Sequence, residues 1–325
     1  MDWRLKAVLQ NIAARMPSRL SHRFYYFLQR RFGGLSAPRL DPVPSMRTGL
    51  EFVRLLHASG RPTTGAVVFE VGTGWRINLP LVFWLAGARE IVTADVHPHF
   101  RLDLFARDLA YLRQHADRVR GMLREALGAS LDEQRWRNLL AFRPGSLRSA
   151  CAFLSLRYMA PADAAATGLP PESVDVHVSR NVLEHVPPAT LRGIFREAAR
   201  VTRRDGLMLH RVDHSDHFAH GDPALSAIHF LKYSPRQWRA RAGNRLGYTN
   251  RLREDDYVAL FAESCCAVRQ VLSTVDERVA TQLAAGFPMH ADFAAKPADV
   301  LARLHSLFVV EPARHAAGGA ARRAA

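Results

Sequence analysis

The stretch that most constrains this chain is VVFEVGTGW, Val67 to Trp75. Val67, Val68, Phe69 and Val71 make the short, continuous apolar run expected of a strand covered on both faces. Glu70 interrupts the run near its C-terminal end, where a buried carboxylate needs a partner. Gly72 and Gly74 let the backbone turn sharply and approach a ligand with no Cβ in the way. Pro80 suits the first turn of a helix, which places the next helix at about residues 78–87. In open α/β sheets, ligands bind at the carboxyl ends of such strands. A single glycine turn is generic, so its meaning depends on the rest of the chain.

Apolar runs and helical periodicity alternate around this stretch. Strands are expected at about 66–71, at Glu90–Ala94, Phe153–Met159, Val174–Val178 and Leu207–Val212, and later at 267–274 and 307–310. Helices are expected at 49–59, 188–202 and 253–263, and 100–142 reads as an inserted helical region broken near Gly128. RRDG, 203–206, reads as a turn. Alternating strands and helices predict an α/β fold, a doubly wound, mostly parallel sheet with helical insertions. Residues 1–48 form an N-terminal helical extension, with an amphipathic helix at 3–16 followed by the aromatic and arginine-rich stretch Arg19–Leu35. Residues 49–312 form the main domain, its acceptor lid at about 214–250, and the Ala-, Gly- and Arg-rich 313–325 reads as a disordered tail.

Composition narrows the partners. The 325-residue chain carries a formal charge of +15, but arginine is spread along its whole length. There is no zinc-finger spacing, no aromatic RNA-binding pattern and no compact basic helix, which argues against nucleic acid. Cys151, Cys265 and Cys266 show no CxxC spacing, so a reducing compartment is expected. Arg4, Lys6, Arg15 and Arg19 interrupt any signal-peptide core, and the apolar run Leu79–Ala88 is half a bilayer span. The expected location is cytoplasmic. The first 48 residues hold nine Lys/Arg against Asp2 and Asp41. Such a segment either packs on the domain with a solvated basic face or lies peripherally on the inner, anionic membrane face.

Acidic residues recur at the strand ends. Glu70 precedes the glycine turn, Asp95 stands 21 residues after Gly74, and Asp163 follows the third strand. Taken singly, Asp95 is equally a helix cap and Asp163 a turn residue. Together and in this order, they describe a ligand containing adenosine, with Asp95 at the distance that suits ribose hydroxyls. A dinucleotide fingerprint needs a third glycine, and that position is Ile77. An acidic residue two positions before the first glycine suits a cationic amino group better than a pyrophosphate. S-adenosylmethionine has ribose hydroxyls, adenine, an α-amino group and no phosphate.

At FEVGTG (69–74), TADVHP (93–98), the run 161–187 and RRDGLMLHRVD (203–213), the chain resembles the class I S-adenosylmethionine-dependent methyltransferases with a type 11 domain. The resemblance covers roughly residues 60–215. It implies a Rossmann-like methyltransferase fold, with Glu70, Gly72, Thr73 and Gly74 beside the methionine moiety and Asp95 with Val96 at the ribose. It also implies Asp163 and Ala164 at the adenine, and Ser179, Arg180 and Asn181 lining the pocket beyond the fourth strand. Many relatives have glycine where this chain has Arg76, so a differently shaped turn is expected.

Two segments carry the expected acceptor chemistry. In NVLEHVP, Asn181 replaces the first carboxylate of the E-x-x-E-H metal motif that some ubiquinone-biosynthesis and small-RNA methyltransferases carry. Glu184 and His185 alone are too few ligands, so no metal is expected, and the pair is read as shaping the substrate entrance. HRVDHSDHFAHGD, 210–222, follows the fifth strand and contains Asp213, His214 and His217. Three readings of this loop stand side by side: a general base oriented by Asp, a divalent metal site, and hydrogen-bonded surface residues. FLKYS (230–234) and NRLREDDY (250–257) suit a lid over an acceptor, with Tyr233, Trp238 and Tyr248 as its aromatics. The expected activity is methyl transfer to a hydroxyl of a small molecule, sugar or lipid-linked glycan. The alternatives are an N-methyltransferase, against which stands the absence of a D/N-P-P-Y motif, and a non-catalytic S-adenosylmethionine-binding domain.

Overall fold

The computed structural model describes residues 2–32, 35, 41–244 and 246–313. Its centre is a seven-stranded sheet made of β1 (Val67–Val71), β2 (Glu90–Ala94), β3 (Leu156–Met159), β4 (Val174–Arg180), β5 (Thr202–Asp213), β6 (Cys266–Val275) and β7 (Arg303–Pro312). The order across the sheet is β3-β2-β1-β4-β5-β7-β6. The first five strands run parallel, and β7 lies antiparallel between β5 and β6. The order reverses between β1 and β4, so a crevice opens beyond their carboxyl ends, where doubly wound sheets bind ligands.

The strand pattern explains the layers. All five residues of β1 are buried, as a strand covered on both faces requires. Val68 packs with Ile91, Val176 and Leu209 beneath α3 (Val43–Ala58) and α4 (Asn78–Leu85). Phe69 and Val71 pack on the other face with Val92, Met208 and Phe195 of α9 (Pro188–Val201). The insertion between β2 and β3 extends the first layer with three helices, α5 (Leu102–Gln114), α6 (Ala116–Leu127) and α7 (Glu133–Ala141). A smaller apolar cluster joins Trp3 and Ala7 of α1 (Trp3–Arg15) to Phe218, Phe230 and Trp238. The first helix therefore packs on the segment after β5, while α2 (Ser18–Phe32) continues toward the glycine turn.

Several boundaries differ from expectation for local reasons. The helix expected from residue 49 begins at Val43, because Pro42 and Pro44 occupy its start, where a missing N–H costs nothing. The 100–142 region breaks at His115 as well as at Gly128, whose φ of +53° stops α6. Phe153 ends α8 (Leu147–Phe153), which a Ser146/Ser149 capping box starts, so the third strand begins only at Leu156. RRDG is part of a long β5 rather than a turn. A Cβ on Gly206 would stand 2.8 Å from the Asp175 carbonyl oxygen, so a side chain there would not fit. The expected tail from 314 onward lies outside the described residues, as do 33, 34 and 36–40 of the N-terminal extension. Among the described residues, no helix is long and apolar enough to cross a membrane.

Candidate active site

The glycine turn is held by its neighbours. Gly72 sits at φ +81°, and its N–H donates to the Ala94 carbonyl at 2.8 Å. A Cβ there would stand 2.4 Å from a Val182 methyl. Gly74, at φ +62°, donates its N–H to Asp95 Oδ2 at 2.9 Å. The N–H of His97 donates to Asp95 Oδ1 at 3.0 Å. One buried carboxylate thus joins the loop after β2 to the turn after β1, and each oxygen keeps a further lone pair. The next residue, Val96, is 63% exposed, an apolar surface at the crevice. The Ala162 N–H donates to the Asp95 carbonyl, bringing the loop after β3 alongside. Asp163 is exposed there and accepts from the Ala165 N–H at 2.8 Å, while Ala164 is buried.

Glu70 lies beneath the turn. Thr93 donates its hydroxyl to Glu70 Oε2 at 2.7 Å, and the Thr93 and Thr73 hydroxyl oxygens are 2.6 Å apart. Burial raises the Glu70 carboxyl to about 8 against the opposing Thr93 hydrogen bond, and Asp95 raises it further. Arg76 ties the turn to the inserted helices. Its guanidinium forks onto the buried carboxylate of Asp108 in α5, with Nε 3.1 and 3.0 Å from the two oxygens. Asp108 is a site-supporting residue that sequence reasoning missed. Its signal was an acidic residue on the apolar stripe of Leu104, Phe105, Leu109 and Leu112. Trp75 stacks with His99 at 4.3 Å and with Tyr26 of α2 at 5.1 Å, so the N-terminal extension covers the turn.

The carboxyl end of β4 corrects one expectation. Ser179, expected to line the pocket, is fully buried with its Oγ 2.8 Å from His210 Nδ1. The His210 ring in turn packs 5.7 Å from Phe261, so this pair belongs to the core. Asn181 sits at φ +52° and donates its N–H to the Arg211 carbonyl. Its buried Oδ1 has no hydrogen-bond partner.

The loops after β4 and β5 meet beyond it. Glu184 is buried, and neither carboxylate oxygen has a hydrogen-bond partner. The nearby backbone N–H groups of Glu184 itself and of Asp213 approach it outside hydrogen-bond geometry. Burial raises this carboxyl well above its ordinary range. His185 Nδ1 stands 2.9 Å from the Tyr248 carbonyl oxygen, which fixes that nitrogen as the N–H donor. Asp213, at the end of β5, accepts from the Ser215 N–H at 2.8 Å and from its hydroxyl at 2.6 Å. His217 Nε2 and His220 Nε2 each stand 3.6 Å from Asp213 Oδ2. Burial opposes charge on Asp213, but His217 and Ser215 hold its carboxyl well below the usual range. Lys6 of α1 donates to the His217 carbonyl at 3.2 Å, tying the first helix to this loop.

His214, expected as a base, is instead a structural residue. Its Nδ1 is 3.1 Å from the Leu252 carbonyl oxygen and its Nε2 is 2.9 Å from Ser306 Oγ of β7, so both nitrogens are engaged. Burial, with Arg253 adding, pushes its pKa down to about 3. Arg253 is itself fully buried and donates to the carbonyls of His214, Leu301 and Arg303. The expected lid segment around it is therefore a frame holding β5 to β7. Trp238 and Tyr233 pack in the cluster under α1, and Tyr248 serves His185 through its carbonyl.

Residues 143–210 match a family model described as a methyltransferase domain. No curated protein matches the chain. Among solved structures, the chain is similar to magnesium protoporphyrin IX methyltransferase from Synechocystis PCC 6803 with bound SAH, at 13% identity and a TM-score of 0.46. That similarity covers 95% of this chain and 99% of that one. It is also similar to geranyl diphosphate C-methyltransferase from Streptomyces coelicolor A3(2), at 11% identity and a TM-score of 0.41, over 82% of this chain and 80% of that one. The matched stretch runs from just before α8 into β5 of this doubly wound sheet, and it supports an enzyme of the S-adenosylmethionine-dependent methyltransferase type.

Proposed function

We propose that the methyl group goes to a hydroxyl of a small molecule, a sugar or a lipid-linked glycan, bound at the carboxyl ends of β4 and β5. The observation that supports this reading most is the placing of three imidazoles, His217, His220 and His305, each 3.6 Å from the charged Asp213 carboxylate. A hydroxyl is a weak nucleophile until its proton has somewhere to go. An imidazole backed by a carboxylate accepts that proton during transfer. The residues present also fit the methyl donor. Asp95 has spare lone pairs for ribose hydroxyls, and exposed Val96 and the loop at Asp163 and Ala164 suit adenine. Glu70 and the unpartnered Asn181 Oδ1 suit a cationic amino group near Gly72, Thr73 and Gly74. The bound donor supplies an electrophilic methyl on a sulfonium. The protein's part is to orient the acceptor in line, exclude water and take the proton.

The test is mass-spectrometric. Incubation with S-adenosylmethionine and hydroxyl-bearing acceptors should give a product one methyl heavier, modified at oxygen. Modification at nitrogen alone would overturn the acceptor assignment.

The N-terminal helices support a membrane-associated acceptor. Leu5, Val8 and Ile12 are each 53% exposed, and Leu20 and Phe27 of α2 are 56% and 57% exposed, beside Arg4, Arg15 and Arg31. An apolar face flanked by arginines suits an anionic bilayer surface. Co-sedimentation with phosphatidylglycerol vesicles should fall in Val8→Glu/Ile12→Glu. Equal sedimentation of both proteins would remove this partner.

A further inference from the structure

We propose that Glu184, His185 and His217, with Asp213 opposite, form a binding site for one divalent transition-metal ion beside the acceptor. It rests on the reading of this loop cluster as the acceptor site.

Three observations converge. First, one ligand atom from each of Glu184, His185 and His217 lies within 4.8 Å of the others, and Asp213, His217 and His220 form a second such group sharing His217. Second, three of the atoms that would coordinate are left without hydrogen bonds among the described residues. Both Glu184 oxygens and His217 Nε2 are buried and make no hydrogen bond. A buried carboxylate in that state is costly unless a positive charge completes it. Third, one ligand nitrogen is oriented from behind. His185 Nδ1 is committed to the Tyr248 carbonyl, which leaves Nε2 free, as outer hydrogen bonds do at metal-bound imidazoles.

The spacing between His217 and Asp213 carries the same message. Their 3.6 Å separation is too long for a hydrogen bond. With metal–ligand bonds of about 2.0–2.1 Å, neighbouring ligands of a tetrahedral ion stand about 3.4 Å apart. The two carboxylates, Glu184 and Asp213, balance a divalent charge. Two imidazoles with carboxylates favour zinc or its first-row neighbours over magnesium or calcium. The E-x-x-E-H comparison counted only two ligands in this chain. The additional ligands, His217 and Asp213, come from the loop after β5, 32 positions further on for His217 relative to His185. Glu184, His185, His217 and Asp213 would hold the ion, which would supply Lewis-acid polarisation of an acceptor hydroxyl.

The full chain, stripped with chelator and titrated with Zn²⁺ or Mn²⁺ in the absence of methyl donor and acceptor, tests the site. The expected result is one equivalent bound per chain and a raised melting temperature. Glu184→Gln, which keeps the side chain's shape, and His217→Ala should each weaken binding by at least about tenfold. His290→Ala, a surface imidazole elsewhere, should bind as wild type does. No stoichiometric binding by the wild type, or undiminished binding by Glu184→Gln, would overturn the site. Binding of S-adenosylmethionine, measured separately, distinguishes failure of the metal site from failure of the methyltransferase reading.

Discussion

The carboxyl edge of the sheet has two unlike halves. Beyond β1 and β2, polar groups are already satisfied: Asp95 by the N–H groups of Gly74 and His97, and Glu70 by Thr93. Beyond β4 and β5, both Glu184 oxygens and His217 Nε2 are buried and make no hydrogen bond among the described residues, His217 Nε2 facing Asp213 Oδ2 at 3.6 Å. A satisfied cluster is rigid in the absence of ligand. An unsatisfied one retains a desolvation cost that only a bound group can offset. The donor half is thus built beforehand, and the acceptor half is completed by what it binds.

The most demanding test of this contrast is His217→Ala. Turnover should fall by about 100-fold or more, the range of a lost proton acceptor and of a lost metal ligand alike, with S-adenosylmethionine affinity within about twofold of wild type. Equal losses in both quantities would erase the division between the halves.

Asp95→Ala should do the reverse. Removing the acceptor of two backbone N–H groups costs about 3 kcal/mol, on the order of 100-fold in donor affinity measured by calorimetry. Unchanged affinity would show that the turn does not depend on its carboxylate.

The Glu70 carboxyl, raised to about 8, gives a prediction with a definite sign. A cationic ligand favours ionised Glu70, so binding releases a proton, and donor affinity rises with pH until Glu70 is ionised beforehand, near 8. The slope approaches about tenfold per pH unit at most, and Glu70→Gln should flatten it. For the unliganded fold the sign is opposite. Stability contributed by protonated Glu70 is complete below its unfolded value near 4.5 and is lost as pH rises through about 8.

The smallest kinetic effect is expected at His214. His214→Ala should lower stability by about 1–3 kcal/mol through the orphaned Leu252 carbonyl and the lost contact with Ser306, whose hydroxyl keeps Glu254, with turnover of the folded fraction near wild type. A turnover loss matching that of His217→Ala would restore His214 to the chemistry.

The same contrast explains what could be read from the residues alone. The donor half lies within short sequence reach, since Glu70, Gly74 and Asp95 are spaced by one strand–helix–strand unit. Local pattern therefore brought Gly74 and Asp95 together, as their hydrogen bond does, and β2 was placed to the residue. The acceptor half depends on contacts across the chain. That His214 is locked while His217 is not depends on Ser306, 92 positions away. Asp108 escaped notice for a related reason. Periodicity reports which face a residue occupies, but not that Arg76, 32 positions earlier, waits there to meet it. The helix breaks at His115 and Leu154 were also hidden, because no proline or strong apolar change marks them.

The antiparallel β7 has a consequence for how the molecule is made. It is the last strand of the sheet in sequence, yet it is inserted between β5 and β6 and supplies Ser306 to His214. On the ribosome, chains emerge from the N-terminal end, and structure forms in the order in which its parts are delivered. The strands β1 and β2 have been made by Ala94, whereas β5 gains its outer neighbour only after Arg303. The last strand delivered is therefore the one that closes the β5 side of the sheet.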